Sequence, residues 1–226
     1  MGKYYLQIHK NKGEYPMEYQ QNLTQLNLMR AFAGESQARN RYTIAASQAR
    51  KKELYVLEKL FLYTAEQELA HANVFYEHLK ESAGKNIHVD GTYPVDIAPT
   101  ITKLLQMAHH NELEEADTLY PAFAEQADKD GFSQAAASFR MIAKIEAMHA
   151  ERFRHFELLL SSDRLFTDDD TQCLWMCQNC GHLHTGRNAP ELCPVCSHKQ
   201  GYFLRADMSA NTNPNILSLY ASNCSL

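Results

Sequence analysis

No stretch of this 226-residue chain is apolar for the roughly 20 residues that a membrane helix needs, so no membrane span is expected. The segment from Met1 to Met17 has no apolar centre of the kind a secretory leader requires, and a cytoplasmic location is expected. An excess of positive charge is also missing. Lys and Arg number 22 against 27 Asp and Glu, a net charge of −5, and without a basic stripe a nucleic-acid surface is not expected. No Gly-x-Gly-x-x-Gly unit is present to bind a dinucleotide. Cysteine is almost confined to one place. Five of the six lie between Cys173 and Cys196, a clustering that excludes a distributed disulfide framework and reads as a metal site in a reducing compartment.

What is present is helical patterning. From Met17 to Lys51 the only glycine or proline is Gly34, and Leu28, Ala31, Phe32, Glu35, Ala38, Tyr42 and Ala45 share one helical face. A second helix, Glu53 to Ser82, carries Leu57, Leu60, Phe61, Thr64, Glu68, His71, Phe75 and Leu79 on its face, with Gly84 as its terminator. Residues 84–99, with two glycines and two prolines, form a long crossover, as a bundle needs when the next helix starts at the far end. The third helix, Thr100 to Asp128, presents Leu104, Leu105, Ala108, Glu112, Glu115, Leu119 and Phe123, and Pro121 predicts a kink after Tyr120. The fourth, Phe132 to Ser161, places Glu146 and His149 among Phe139, Ile142 and Phe153.

Residues three apart on a helix lie on one face. Glu68 with His71, Glu112 with Glu115, and Glu146 with His149 therefore project as pairs from apolar faces, and Glu35 joins them from the first helix. An unpaired charge costs several kcal/mol to bury, and a metal ion is the simplest common partner for such groups. A Glu from each of two helices plus Glu-x-x-His from each of the other two is the ligand pattern of di-iron and di-manganese bundles. This chain meets that pattern and exceeds it by one Glu.

After a polar, acidic segment over 162–173, read as a linker, Cys177-x-x-Cys180 and Cys193-x-x-Cys196 offer four thiolates to one tetrahedral zinc or iron ion. The segment has too few apolar residues to hold a core without the ion. His78, His109 and His110 read as solvated helix-surface residues, and His182, His184 and His198 as exposed loop residues. Cys173 and Cys224 carry no assigned role.

The stretch from Ala31 to Tyr42, Glu68-x-x-His71, Glu112-x-x-Glu115 with Tyr120-Pro121, Glu146-x-x-His149, and the block from Cys177 to Cys196 together resemble the rubrerythrins over about residues 20–206. The resemblance implies a mainly α protein. A ferritin-like four-helix bundle with one long crossover would occupy 17–161, and a small rubredoxin-like four-cysteine domain 174–206. Residues 1–16 and 207–226 would be terminal extensions.

The resemblance also implies two non-haem irons in the bundle. Glu68 and Glu146 would bridge them, Glu112 and His149 would bind one, and Glu35 the other. His71 and Glu115 would alternate as ligands of that second ion, His71 in the reduced state. Tyr42 and Tyr120 would hydrogen-bond the site carboxylates, and Cys177, Cys180, Cys193 and Cys196 would hold a mononuclear iron. The implied activity is reduction of hydrogen peroxide. Electrons would arrive through the four-cysteine iron from an external rubredoxin or NAD(P)H-dependent reductase, in a homodimer or higher homo-oligomer. The alternative is a ferroxidase or iron-handling protein of ferritin type, against which the appended thiolate module argues. A zinc ribbon serving as a nucleic-acid or protein adaptor fits the acidic charge poorly.

Overall fold

In the computed structural model, residues 22–210 together with 212 and 217 are described. Residues 17–21 of the expected first helix, the N-terminal extension and Cys224 lie outside the described residues. Helix α1 (Leu23–Lys51) is capped by Asn22, whose Oδ1 accepts from Thr24 N at 2.9 Å. Helices α2 (Tyr55–Glu77), α3 (Ile101–Glu114), α4 (Tyr120–Lys129) and α5 (Ser133–Ser161) follow. Helices α3 and α4 are the two halves of one rod, so the bundle has four rods, with α1 packed chiefly on α2, and α3 and α4 on α5. The crossover after Gly84 has no regular structure until Thr100, whose hydroxyl caps α3. Among the described residues no helix is long and apolar enough to cross a membrane.

Two details differ from the expected bundle. The break in the third rod lies before Tyr120, not after it. Residues Glu115–Leu119 form a π-turn, in which the Tyr120 N–H bonds to the Glu115 carbonyl. A π-turn inserts one extra residue, and here it precedes a proline that has no N–H to give to the preceding turn. The α1–α2 turn closes without glycine because Glu53 itself takes a left-handed conformation, φ 59°, at a position where glycine is usual.

The bundle core is divided into two clusters. Leu57, Phe61, Leu105 and Phe153 gather toward the α1–α2 turn. Leu28, Phe75, Phe139 and Tyr120 gather toward the other end. Each buried Phe or Leu contributes roughly 1.5–3 kcal/mol. Between these clusters lies the band of ligands.

The small domain is a three-stranded antiparallel sheet, β1 (Leu174–Cys177), β2 (Leu183–Thr185) and β3 (Phe203–Arg205), in the order β2-β1-β3. Its core is Trp175, Phe203 and Ala189 with the cysteines, and Trp175 Nε1 donates to the Gly186 carbonyl at 2.9 Å. Segment 162–173 is not a free linker. Leu165 is buried in the bundle core, Phe166 packs against both domains, and Cys173 belongs to the small core. Apolar residues interrupting the acidic run explain this: Leu165 and Phe166 gain more by burial than the segment loses in freedom.

The small domain seats on the α1–α2 turn. Lys199 pairs with Glu53, Tyr202 stacks on Tyr55 at 4.1 Å, and Lys59 Nζ donates to the Gln178 carbonyl at 2.5 Å. A side chain on Gly201 would overlap the Glu53 carbonyl oxygen. Gly201→Ala is therefore expected to loosen this seat. Amide hydrogen exchange should rise at Lys52–Tyr55 and at 199–203, with the bundle interior unchanged; equal protection in both proteins would contradict the contact.

Candidate metal centres

Glu35 on α1, Glu68 and His71 on α2, Glu112 on α3, and Glu146 and His149 on α5 are all buried at mid-bundle. Their ligand atoms fall into two sets, each within 4.8 Å of one another: Glu35, Glu68, His71 and Glu146, and Glu68, Glu112, Glu146 and His149. Glu68 and Glu146 belong to both. Glu146 Oε1 lies 2.8 Å from His71 Nδ1 and its Oε2 lies 2.8 Å from His149 Nδ1. Glu68 reaches the same two nitrogens at 3.1 and 3.0 Å. Glu112 Oε2 is 3.4 Å from His149 Nδ1. The two imidazoles face each other across the site, 5.6 Å between centroids.

Glu115 stands outside both sets, half-buried at the start of the π-turn. Tyr42 donates its hydroxyl hydrogen to Glu112 Oε1, and Tyr120 to Glu35 Oε1. Sequence reasoning found the carboxylates and imidazoles because their spacing is local, and Tyr42 and Tyr120 through the resemblance to the rubrerythrins. It did not find Arg41, on α1, which pairs with Asp96 from the crossover while Asn111 Nδ2 donates to the same carboxylate at 2.8 Å. No helical period links a crossover residue to α1. The surface histidines are less idle than expected. His78 Nε2 meets Ser138 Oγ at 2.9 Å, His109 Nδ1 meets the Ala150 carbonyl at 3.0 Å, and half-buried His198 meets the Cys196 carbonyl at 3.1 Å.

The electrostatics follow from packing carboxylates and imidazoles together in a buried band. Burial and the neighbouring Glu146 push the Glu35 carboxyl well above its usual range, and burial and Glu68 do the same to Glu112. Burial with Glu146 raises Glu115 to about 8. Burial opposes charge on His71, but the Glu146 and Glu68 carboxylates against its ring win and raise it to about 9. His149 is carried to about 12 in the same way by Glu112, Glu146 and Glu68. Glu146, despite burial, is held at about 2 by the two imidazoles.

Buried oxygens of Glu35, Glu68, Glu112 and Glu146, and both ring nitrogens of His149, have no well-aligned hydrogen-bond partner among the described residues. Buried polar atoms are nearly always paired. Orphans converging from four rods, with two carboxylates common to both sets, fit a pair of divalent cations.

The second centre is at the turns of the small domain. Cys177 Sγ lies 3.7 Å from Cys196 Sγ, and Cys180 Sγ 3.6 Å from Cys193 Sγ. A tetrahedral ion bound by thiolates at about 2.3 Å separates the sulfurs by about 3.8 Å, so the four fit one ion. The backbone N–H of His198, directed at the Cys196 sulfur, holds that thiol at about 6, which favours the thiolate.

Comparison with known proteins agrees with this arrangement. The family model described as rubrerythrin matches residues 27–157, and the one described as rubrerythrin, rubredoxin-like domain, matches residues 175–204. Rubrerythrin of Clostridium perfringens is 43% identical over 178 residues, which are 78% of this chain and 91% of that protein. Rubrerythrin of Porphyromonas gingivalis is 40% identical over 194 residues, covering 86% and 95%. Among solved structures, partially reduced nigerythrin superimposes with a TM-score of 0.56 at 30% identity, covering 80% of this chain and 86% of that one. With a carboxylate bundle of di-iron type followed by a four-cysteine rubredoxin-like domain, the chain belongs to the rubrerythrin family.

Proposed function

We propose that the protein reduces hydrogen peroxide to water at a di-iron site, with electrons delivered through the four-cysteine iron from an external rubredoxin or NAD(P)H-dependent reductase. The observation that carries this reading is the sharing of Glu68 and Glu146 between two ligand sets in a chain that also holds a thiolate site suited to one-electron exchange. When bound, a ferrous pair supplies the two electrons that cleavage of one O–O bond consumes.

The protein's own groups do the rest. Glu68 and Glu146 hold the two ion positions side by side. Glu112 with His149, and Glu35 with His71, complete them. Glu115 stands beside the second position as the exchange partner of His71. The hydroxyl protons of Tyr120 and Tyr42 fix Glu35 Oε1 and Glu112 Oε1, so one oxygen of each carboxylate is committed and the other is free for a cation. Two apolar clusters keep bulk water from the band between them.

The small domain seats at Tyr55 and Lys59, and from Tyr55 to Glu68 α2 rises about 20 Å. That span is long for delivery within one chain and favours delivery to a neighbouring subunit of a homodimer. Truncation near Asp169 would remove Leu204 and Met208, which pack on the bundle, together with the domain. Cys180→Ser in the full chain is cleaner, since it removes one exposed thiolate of the iron site and leaves Leu204 and Met208 in place. The expected result is loss of the red ferric-thiolate absorption and of peroxide turnover with the natural reductant, with two irons still in the bundle. Unchanged turnover would refute the proposed electron path. Oxidation of the ferrous protein faster by dioxygen than by peroxide would favour the ferroxidase alternative.

A further inference from the structure

A groove of about 980 Å³ opens beside the bundle between the crossover, α1 and α3, and among the residues lining it are Gly34, Tyr93, Met107, Asn111, Glu115 and Tyr120. Tyr120 brings it to the metal ligands, since its hydroxyl is bonded to Glu35, and Glu115 lines it from the start of the π-turn. The ligands themselves are shut in: Glu35, Glu146 and His149 have no exposed surface, and Glu68 and Glu112 almost none.

Where the groove meets the site the wall is bare. A Cβ on Gly34 would stand 3.8 Å from Tyr93 Cε1 and 4.0 Å from Glu115 Oε1, in contact with both. The crossover is pinned on both sides of that ring. Arg30 binds the Asp90 side chain at 2.5 Å and its carbonyl at 3.1 Å, and Asp96 is held by Arg41 and Asn111. Tyr93 itself donates to the Arg30 carbonyl at 3.2 Å. A glycine inside a helix costs about 1 kcal/mol relative to alanine. Alanine at position 34 would make only ordinary contacts, so packing does not explain the glycine.

We propose that Gly34 and Tyr93 form the aperture through which the oxidant reaches the metal pair, and that the missing side chain at position 34 sets the size of hydroperoxide admitted. This rests on the peroxidase reading of the site. The groove far exceeds the volume of hydrogen peroxide, and Met107, Leu119 and Phe123, set among polar lining residues, offer apolar surface to the alkyl group of a small hydroperoxide. Its reduction balances as for hydrogen peroxide. The O–O bond breaks, two electrons come from the ferrous pair and two protons from solvent, and an alcohol and water are released.

The test uses the full, iron-loaded protein and its Gly34→Ala, Gly34→Val and Tyr93→Ala variants, each checked for two bundle irons. Stopped-flow oxidation of the ferrous form is measured with hydrogen peroxide and with tert-butyl hydroperoxide, and azide association is followed by its charge-transfer band on the ferric form. Gly34→Ala is expected to lower the rate with tert-butyl hydroperoxide relative to hydrogen peroxide by about tenfold, the scale of one methylene in a fitted pocket. Gly34→Val should lower it further and slow azide association. Tyr93→Ala should raise the same ratio. If the unaltered protein is inert toward both peroxides, the peroxidase reading fails, and azide association alone then decides the aperture. Two irons in every variant with unchanged peroxide ratios and unchanged azide association would overturn the proposal.

Discussion

Glu146→Gln is expected to empty the bundle of both metals rather than one. Glu146 is the carboxylate that reaches both imidazoles, 2.8 Å from each, and it belongs to both ligand sets. The amide replaces one of those oxygens with an N–H donor of nearly equal size. Packing is preserved, but one cation position loses a ligand and faces a donor instead. Because Glu68 then holds two ions without its counterpart, the second position weakens with the first. Metal analysis after gel filtration should fall from two bundle ions toward none, and peroxide turnover by more than the roughly 100-fold that follows loss of a group merely supporting a ligand. Glu115→Gln provides the contrast. Glu115 lies outside both sets, so that variant should keep two ions. Two ions retained by Glu146→Gln, or none by Glu115→Gln, would show the sharing to be misassigned.

Metal-free protein should become less stable as pH rises from about 6.5 to 9. Burial works against charge on His71, yet its carboxylate partners raise it from 6.5 to about 9. The stability it supplies is complete below 6.5 and is lost as pH climbs through 9. Glu115, raised by burial from 4.5 to about 8, acts in the same direction, since its neutral form is the one the fold prefers. Glu146 acts oppositely. Held at about 2 in the fold, it contributes above 4.5 and loses that contribution as pH falls toward 2. Thermal melts of the apoprotein should therefore peak in mildly acidic solution and decline by several degrees or more toward pH 9, on a scale where 1 kcal/mol is about 2–4 °C. Metal loading should remove the alkaline decline, because cations then hold the charges that protons held, and should steepen the acid limb as protons displace metal. An apoprotein melting at one temperature from pH 6 to 9 would contradict the proton-for-metal picture.

The ligand band was legible before any coordinates because its signals are local. Glu68 and His71, or Glu146 and His149, are one helical turn apart, and that spacing alone places them on one face. The cysteine pairs are legible for the same reason. The π-turn at Glu115–Leu119 was misread as a proline kink, because both follow from one missing N–H and only the surrounding rods choose where the extra residue goes. Leu165 and Phe166 were hidden in a segment whose composition is acidic, since averaging over a window conceals two residues that dock.

By itself, then, the amino-acid order determined which side chains each rod would turn inward and that they would demand cations, because helical periodicity and the cost of burying charge operate over a few residues. Only the tertiary structure decided that Glu115 would stand outside both ligand sets beside a groove, and that the crossover would lay Tyr93 against Gly34. Those are relations between residues far apart in the chain, and they are set by how the rods pack and by where Asp90 and Asp96 pin the crossover.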